Sequence, residues 1–119
     1  MPRYVDGFLL VIPKKRLTEY RTIARKASKV WKDHGALDYV ECVGDDLNIG
    51  MGTPFSKVTK LKAGELVIFS WIIYKSRAHR DAVNKKVVKD KRMAAMMTDA
   101  ASFDMKRMSY GGFTVLVDA

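Results

Sequence analysis

The sequence has a single cysteine, only two histidines and no long apolar run. Cys42 cannot form a disulfide within the chain, and nothing near it has the spacing of a zinc site. The early apolar run at residues 8–12 is too short for a signal peptide or a membrane span. These absences exclude disulfide-stapled and membrane-spanning classes, and we expect a soluble protein of the cytoplasm.

Acidic residues are also scarce, with 13 against 22 basic residues and a net charge of +9. Residues 14–32 hold eight basic residues and one acidic residue, and residues 75–92 hold eight and two. If both segments are helices, their outer faces form a basic layer. Such a layer attracts phosphates or an acidic partner, although solvated lysines on helix surfaces are more common.

A chain of 119 residues, 48% of them apolar, is typical of one globular domain. Runs rich in β-branched and large apolar residues indicate several strands. The run ELVIFSWIIY is the strongest of them. Strands are predicted at residues 4–12, 36–43, 65–74 and 106–117, with a weaker candidate at 55–61.

Apolar residues at three- and four-residue steps predict helices between these strands. The first helix starts near Lys15, and Gly35 lies where a C-terminal glycine belongs. Ser76 is predicted to cap a second helix and Asp90 a shorter third helix. The order β-α-β-(β)-β-α-β predicts an α+β protein with a ferredoxin-like sheet and helices on one face, in one domain over residues 1–119.

The central strands are apolar on both faces. Residues 65–74 place Val67, Phe69, Trp71 and Ile73 on one face and mainly apolar residues on the other. Helices can cover only one face, and a soluble monomer rarely exposes a large apolar patch. We therefore expect a homodimer in which two sheets pack face to face.

Glycines interrupt the first and last strands, in YVDGF and SYGGF. In a ferredoxin-like sheet these strands pair antiparallel, so Gly7, Gly111 and Gly112 are expected near one another. Glycines there allow the strong coiling that a barrel needs. A local bulge without a ligand is the alternative explanation.

The segments YVDGF, VEC followed by GDD, VIFSWI, RDAVNKK and FDMKRMSYGGF resemble the YbaA-like family of small bacterial proteins. The resemblance covers nearly the whole chain and implies the dimeric α+β barrel fold. The chain departs from the family pattern at Val43, Lys91, Ser102 and Met105. Related barrels include cofactor-independent monooxygenases, haem-handling enzymes and small-molecule binders, so the resemblance implies a cavity but assigns no reaction.

The candidate pocket residues are Trp71, Tyr110, Arg107 and Glu41. A buried Glu41 near Arg107 or Tyr110 would serve as an acid–base or anion-recognition group, and a structural ion pair is the alternative. No catalytic residue is assigned and no cofactor is expected.

Neither histidine has the surroundings of a metal ligand. His34 is predicted at the end of the first helix, where the helix dipole favours a cation, and His79 on the surface of the second helix. No carboxylate is paired with either at useful spacing, so no metal site is predicted. Cys42 lacks a histidine activator and is predicted to be a core thiol.

Nucleic-acid binding is the second functional hypothesis. The RNA-recognition motif has the same element order and stacks bases on its open sheet. However, VIFSWIIY lacks the glycines and the leading basic residue of that motif. Binding through the basic helices would therefore be non-specific and salt-sensitive. A third hypothesis is association with an unspecified partner through the basic layer.

Overall fold

Four antiparallel strands form one sheet. The computed structural model describes residues 2–100 and 102–119. Its strands are β1 (Tyr4–Pro13), β2 (Asp38–Val43), β3 (Glu65–Tyr74) and β4 (Ser109–Thr114), in the spatial order β2-β3-β1-β4. β1 and β3 pair along their whole length, so the two most apolar strands lie at the centre of the sheet.

The helices between these strands complete the predicted ferredoxin-like order. They are α1 (Leu17–Asp33), α2 (Phe55–Val58), α3 (Arg77–Lys89) and α4 (Lys91–Ala100), with short 3-10 turns at Lys14–Arg16 and Met105–Arg107. α1, α3 and α4 pack against one face of the sheet. The structure therefore has the predicted α+β fold, with a ferredoxin-like sheet and helices on one face.

The helix ends follow the signals in the sequence. The Ser76 hydroxyl accepts a hydrogen bond from the His79 backbone N–H at 3.1 Å and caps α3. Gly35 follows α1 with φ +112°, a conformation that glycine adopts without strain. Asp90 accepts from the Arg92 backbone N–H at 2.9 Å, so it separates α3 from α4 as predicted.

One predicted strand is absent from the structure, and the last predicted strand is too long. Residues 55–61 do not form a strand, because the Pro54 carbonyl accepts from the Lys57 and Val58 N–H groups at 3.0 and 3.2 Å and starts the single turn α2. The last strand is shorter than residues 106–117. A 3-10 turn at Met105–Arg107, in which the Lys106 N–H donates to the Asp104 carboxylate at 3.2 Å, delays β4 to Ser109.

The two faces of the sheet have different surroundings. On the helix side, β1 and β3 pack against apolar residues of α1 and α3; this core includes Leu10, Ile12, Ile68, Ile72, Tyr74, Val30, Val83 and Val87. On the outer side, Phe69 is 45% and Phe113 is 62% exposed. The Phe55 ring of α2 lies 6.0 Å from Phe69, so α2 covers only one end of the outer face.

The glycines of the first and last strands meet in the sheet, as predicted. Gly7 lies opposite Gly111, and Asp6 lies opposite Gly112. A Cβ added to Gly112 would come within 2.8 Å of Cε2 of Tyr4, whose ring lies across that position. Gly112 therefore leaves the space that the Tyr4 ring of the neighbouring strand occupies.

We predict that Gly112→Ala destabilises the protein by about 1–3 kcal/mol, because the methyl group forces the packed Tyr4 ring to move. Gly111→Ala is the matched control, since its nearest neighbour would be Cε1 of Phe113 at 3.8 Å, an ordinary contact. Urea unfolding of both variants measures the difference. Equal stability of the two variants would contradict this account of Gly112.

Candidate functional site

A cavity of about 180 Å³ lies between the sheet and the helices. Its floor is made by helix-side residues of β1, β2 and β3, and its walls are made by α1, α4 and the segment after α4. A second cavity of about 130 Å³ adjoins it and shares six of its residues. The shared residues are Tyr20, Ile23, Ala27, Tyr39, Glu41 and Met105.

Two tyrosines hold the carboxylate of Glu41 at this cavity. The Tyr39 hydroxyl donates to Oε2 at 2.7 Å, and the Tyr20 hydroxyl donates to Oε1 in a shorter hydrogen bond. Burial raises the pKa of both tyrosines above its usual value, and the neighbouring Glu41 raises it further. Both hydroxyls therefore stay protonated and act as donors to the carboxylate.

The rest of the cavity is mainly apolar. Phe8, Ile72 and Trp31 line it, and five of the seven methionines face it from α4 and the segment that follows. Unbranched methionine side chains adapt to ligands of different shape. The methionines are Met93, Met96, Met97, Met105 and Met108.

Arginine contacts hold the segment that covers the cavity. Arg16 donates to the Ser102 carbonyl at 2.8 Å and to its hydroxyl at 2.6 Å. Its guanidinium carbon lies 3.8 Å from the centre of the Phe103 ring, which meets Tyr20 edge-on. Arg92, near the start of α4, pairs with Asp33 at the end of α1 and with Asp90 just before α4. Polar contacts at the surface thus connect the covering segment to the residues at the two ends of α1.

The four predicted pocket residues do not come together. Glu41 lies at the sheet–helix cavity, whereas Trp71 lines a separate groove on the outer side of the sheet. Tyr110 is on the helix side, where its ring stacks on Phe8 with 4.8 Å between ring centres. Arg107 donates to Glu65 at 2.6 Å and to the backbone carbonyl of Lys60 at 2.9 Å. The partners of Glu41 are therefore tyrosines, not Arg107 or Tyr110.

Pattern analysis of the sequence missed Tyr20, Tyr39, Trp31 and Ser70 as cavity residues. Tyr20 and Trp31 belong to the apolar stripe of α1, which predicts burial but not a site. Tyr39 lies two residues before Glu41 on the same strand, and this spacing puts both on one face. A tyrosine two residues before a glutamate on a predicted strand was therefore the feature of the sequence that could have identified Tyr39.

The histidines and the cysteine lie outside the cavity lining. The ring of His34 is 2.7 Å from the carboxylate of Asp90 at the end of α1. His79 is half-buried, because its Nδ1 accepts from the Lys75 N–H at 2.9 Å and its ring packs against Tyr74. Cys42 is exposed, so the prediction of a core thiol is wrong.

A second buried carboxylate belongs to a different cluster. Asp6 is 1% exposed and accepts from Arg80 at 3.1 Å, while the Arg80 guanidinium lies over the Tyr4 ring. Burial raises the pKa of Asp6, and the Arg80 charge opposes that shift. This pair joins α3 to β1, and its partners leave little capacity for a ligand.

Within residues 2–100 and 102–119, no group of three His, Cys, Asp or Glu side chains is placed to hold a metal ion. None of the described helices combines the length and the apolar character that a membrane span requires. The cytoplasmic location stays a prediction from the sequence.

Solved structures of known proteins share this fold. A mutant of SnoaB, a cofactor-independent oxygenase from Streptomyces nogalater, is similar with a TM-score of 0.63 at 8% identity, covering 99% of this chain and 97% of that one. A putative antibiotic biosynthesis monooxygenase from Nitrosomonas europaea has a TM-score of 0.62 at 10% identity, covering 96% of this chain and 90% of that one. An uncharacterized NIPSNAP domain protein from Burkholderia xenovorans has a TM-score of 0.59 at 11% identity, covering 98% of this chain and 97% of that one. This likeness confirms the predicted α+β fold class.

Sequence comparison identifies the family. The family described as "Protein of unknown function (DUF1428)" matches residues 3–105. The "Uncharacterized protein YbaA" of Escherichia coli (strain K12) is 42% identical over 116 residues, covering 98% of each chain. The protein of that name from Shigella flexneri matches equally. The chain therefore belongs to the DUF1428 family, and its predicted place among YbaA-like proteins is confirmed.

Proposed function

We propose that this protein binds a small, largely apolar molecule in the sheet–helix cavity. The observation that carries the proposal is one carboxylate, Glu41, oriented by two tyrosines in a cavity otherwise walled mainly by aromatic, aliphatic and methionine side chains. Ligand sites commonly combine such apolar walls with a few positioned polar groups.

The volume of the cavity limits the size of the ligand. At about 180 Å³ it is slightly larger than an engineered apolar cavity of about 150 Å³ that takes up benzene. One aromatic ring with a short polar substituent therefore fits. Larger ligands would have to extend into the adjoining cavity of about 130 Å³.

The structural neighbours support a small-molecule site but not a particular reaction. SnoaB is described as a cofactor-independent oxygenase, and it shares the fold at 8% identity. Likeness at that level carries over the scaffold, while chemistry depends on the residues of each site. Our proposal is therefore restricted to binding.

We predict that Ala27→Phe weakens binding of benzyl alcohol by about tenfold or more, because the added ring fills the space between α1 and the sheet. Ala27 lines both cavities. Titration followed by ¹H–¹⁵N spectra measures the affinity through the amides of Glu41 and Ser70.

The control for this experiment is Ala82→Phe, because Ala82 is exposed on α3 and lines neither cavity. Thermal unfolding of both variants checks that they fold. Unchanged binding in a folded Ala27→Phe variant, or no shift at cavity residues in the wild type, would contradict the proposed site.

We also propose that two copies associate through the outer face of the sheet. A groove of about 720 Å³ on this face is lined almost entirely by apolar groups, among them Val5, Leu9, Trp71 and Phe113. A second copy offers the same surface, so a two-fold axis would bury both grooves at once. The resemblance to YbaA-like proteins implies a dimeric barrel, which supports this arrangement.

We predict that Trp71→Arg converts a dimer into a monomer, because the charge would be buried without a partner at the centre of the interface. Light scattering after size-exclusion chromatography measures the mass. Val88→Arg is the control, since Val88 is 71% exposed on α3, on the opposite side of the sheet. A monomeric wild type at micromolar concentration would overturn the dimer.

Nucleic-acid binding has weaker support, because acidic neighbours neutralise part of the basic surface. Arg92 pairs with Asp33 and Asp90, and Lys29 pairs with Asp33. Arg16 and Arg80 are also paired. The charge available to phosphates is thus smaller than the net charge suggests.

A further inference from the structure

Ser70 is a buried polar residue at the centre of the cavity floor. Its relative exposure is 6%, and it lies opposite Phe8 on β1 and opposite Glu41 on β2. None of the side-chain hydrogen bonds in the described part of the chain includes its hydroxyl, and the residue lines the cavity. The hydroxyl is therefore available to a molecule in the cavity.

The Glu41 carboxylate has no ion-pair partner among the described residues. Its oxygens accept from two neutral tyrosine hydroxyls, and no ion pair among residues 2–100 and 102–119 includes it. No lysine, arginine or histidine lines the 180 Å³ cavity. Arg21 and Arg25 line a groove between α1 and β2 that Glu41 also borders, but both arginines are exposed to solvent and neither forms an ion pair with Glu41 in the described part of the chain.

Aromatic rings surround this unbalanced charge. Trp31 and Tyr39 lie with ring centres 6.0 Å apart, and Tyr20 and Phe8 also contribute to the lining. The faces of such rings attract cations, and tryptophan does so most strongly. An anion would meet the Glu41 carboxylate without compensation, which disfavours it.

We infer that the cavity selects a small organic cation, an arylalkylamine whose ammonium group donates to Glu41 and to the Ser70 hydroxyl. Directly opposed residues of neighbouring strands have Cβ atoms about 4.5–5.5 Å apart, so one ammonium group reaches both side chains. The aromatic ring of the ligand then lies among Trp31 and the methionines. This inference rests on the proposed function, because it names the ligand class of the same cavity.

The free energy of binding favours the cation for a specific reason. Folding has already removed part of the water from Glu41, so that cost is not incurred again on binding. Binding must still desolvate the cation and displace the remaining water of Glu41, and the carboxylate, the hydroxyl and the ring faces replace the water that the cation loses. A neutral isostere gains the apolar contacts but not the charge-assisted hydrogen bond.

The test uses three probes of similar size and different charge: benzylamine, benzyl alcohol and benzoate at pH 7. We expect the wild-type protein to bind benzylamine about tenfold more tightly than benzyl alcohol, and benzoate most weakly. Calorimetric titration gives the dissociation constants, and ¹H–¹⁵N spectra locate the bound probe at Ser70 and Glu41.

Two variants test the assigned groups. Glu41→Gln keeps the size of the side chain and is expected to bring benzylamine and benzyl alcohol to within about threefold of each other. Ser70→Ala is expected to weaken the binding of benzylamine several-fold. Asp38→Asn is the matched control; it removes a charge from an exposed position of the same strand and should leave the preference unchanged.

The outcomes separate the two proposals. If benzoate binds the wild type as tightly as benzylamine, or if folded Glu41→Gln keeps the preference for benzylamine, the charge selection is wrong while the cavity stands. If neither benzylamine nor benzyl alcohol perturbs the cavity residues, the proposed binding function fails, and the inference fails with it.

Discussion

Because β1 and β3 pair over all ten residues, from Tyr4 opposite Tyr74 to Pro13 opposite Glu65, alternate side chains of both strands are assigned to the same face. A shift of one residue would turn the whole apolar set over. β2 is aligned on β3 and β4 on β1, so the positions of Glu41 and of the glycines depend on this central register. The cavity and the outer groove are its two consequences.

The two carboxylates that this register directs to the helix side have different surroundings. Asp6 is 1% exposed and lies beside the guanidinium of Arg80, so its charge is balanced within the protein. Glu41 has only tyrosine hydroxyls as partners and faces free volume. A satisfied ion pair serves mainly to connect elements, whereas an unbalanced carboxylate at a cavity is suited to recognition.

The segment that covers the cavity is held differently from the sheet beneath it. Apolar burial fixes the strands, but Arg16, Arg92 and Arg107 make the polar contacts that hold α4 and the following turn. Such contacts at partly exposed positions each contribute little to stability. Together with the adaptable methionines, they give the cavity one rigid side and one adjustable side.

The sequence alone determined the elements whose signals are local. The nearly continuous apolar run at residues 65–74 identified β3 with its observed bounds, and Ser76 and Gly35 marked helix ends. Apolar residues on both faces of the central strands predicted the two-sided sheet. The exception, α2, arose because Pro54 starts a turn in a segment of weak alternation. Local hydrogen bonding decides such features, so sequence spacing reveals them.

The partners of polar groups that are distant in the sequence were decided only by the tertiary structure. Glu41 meets Tyr20 and Arg107 meets Glu65, pairs separated by 21 and 42 residues in the chain. Which of several tyrosines or carboxylates a side chain reaches depends on how α1 packs over β2 and where the final turn meets β3. Those distances arise from the packing of whole elements, and no spacing within one segment encodes them.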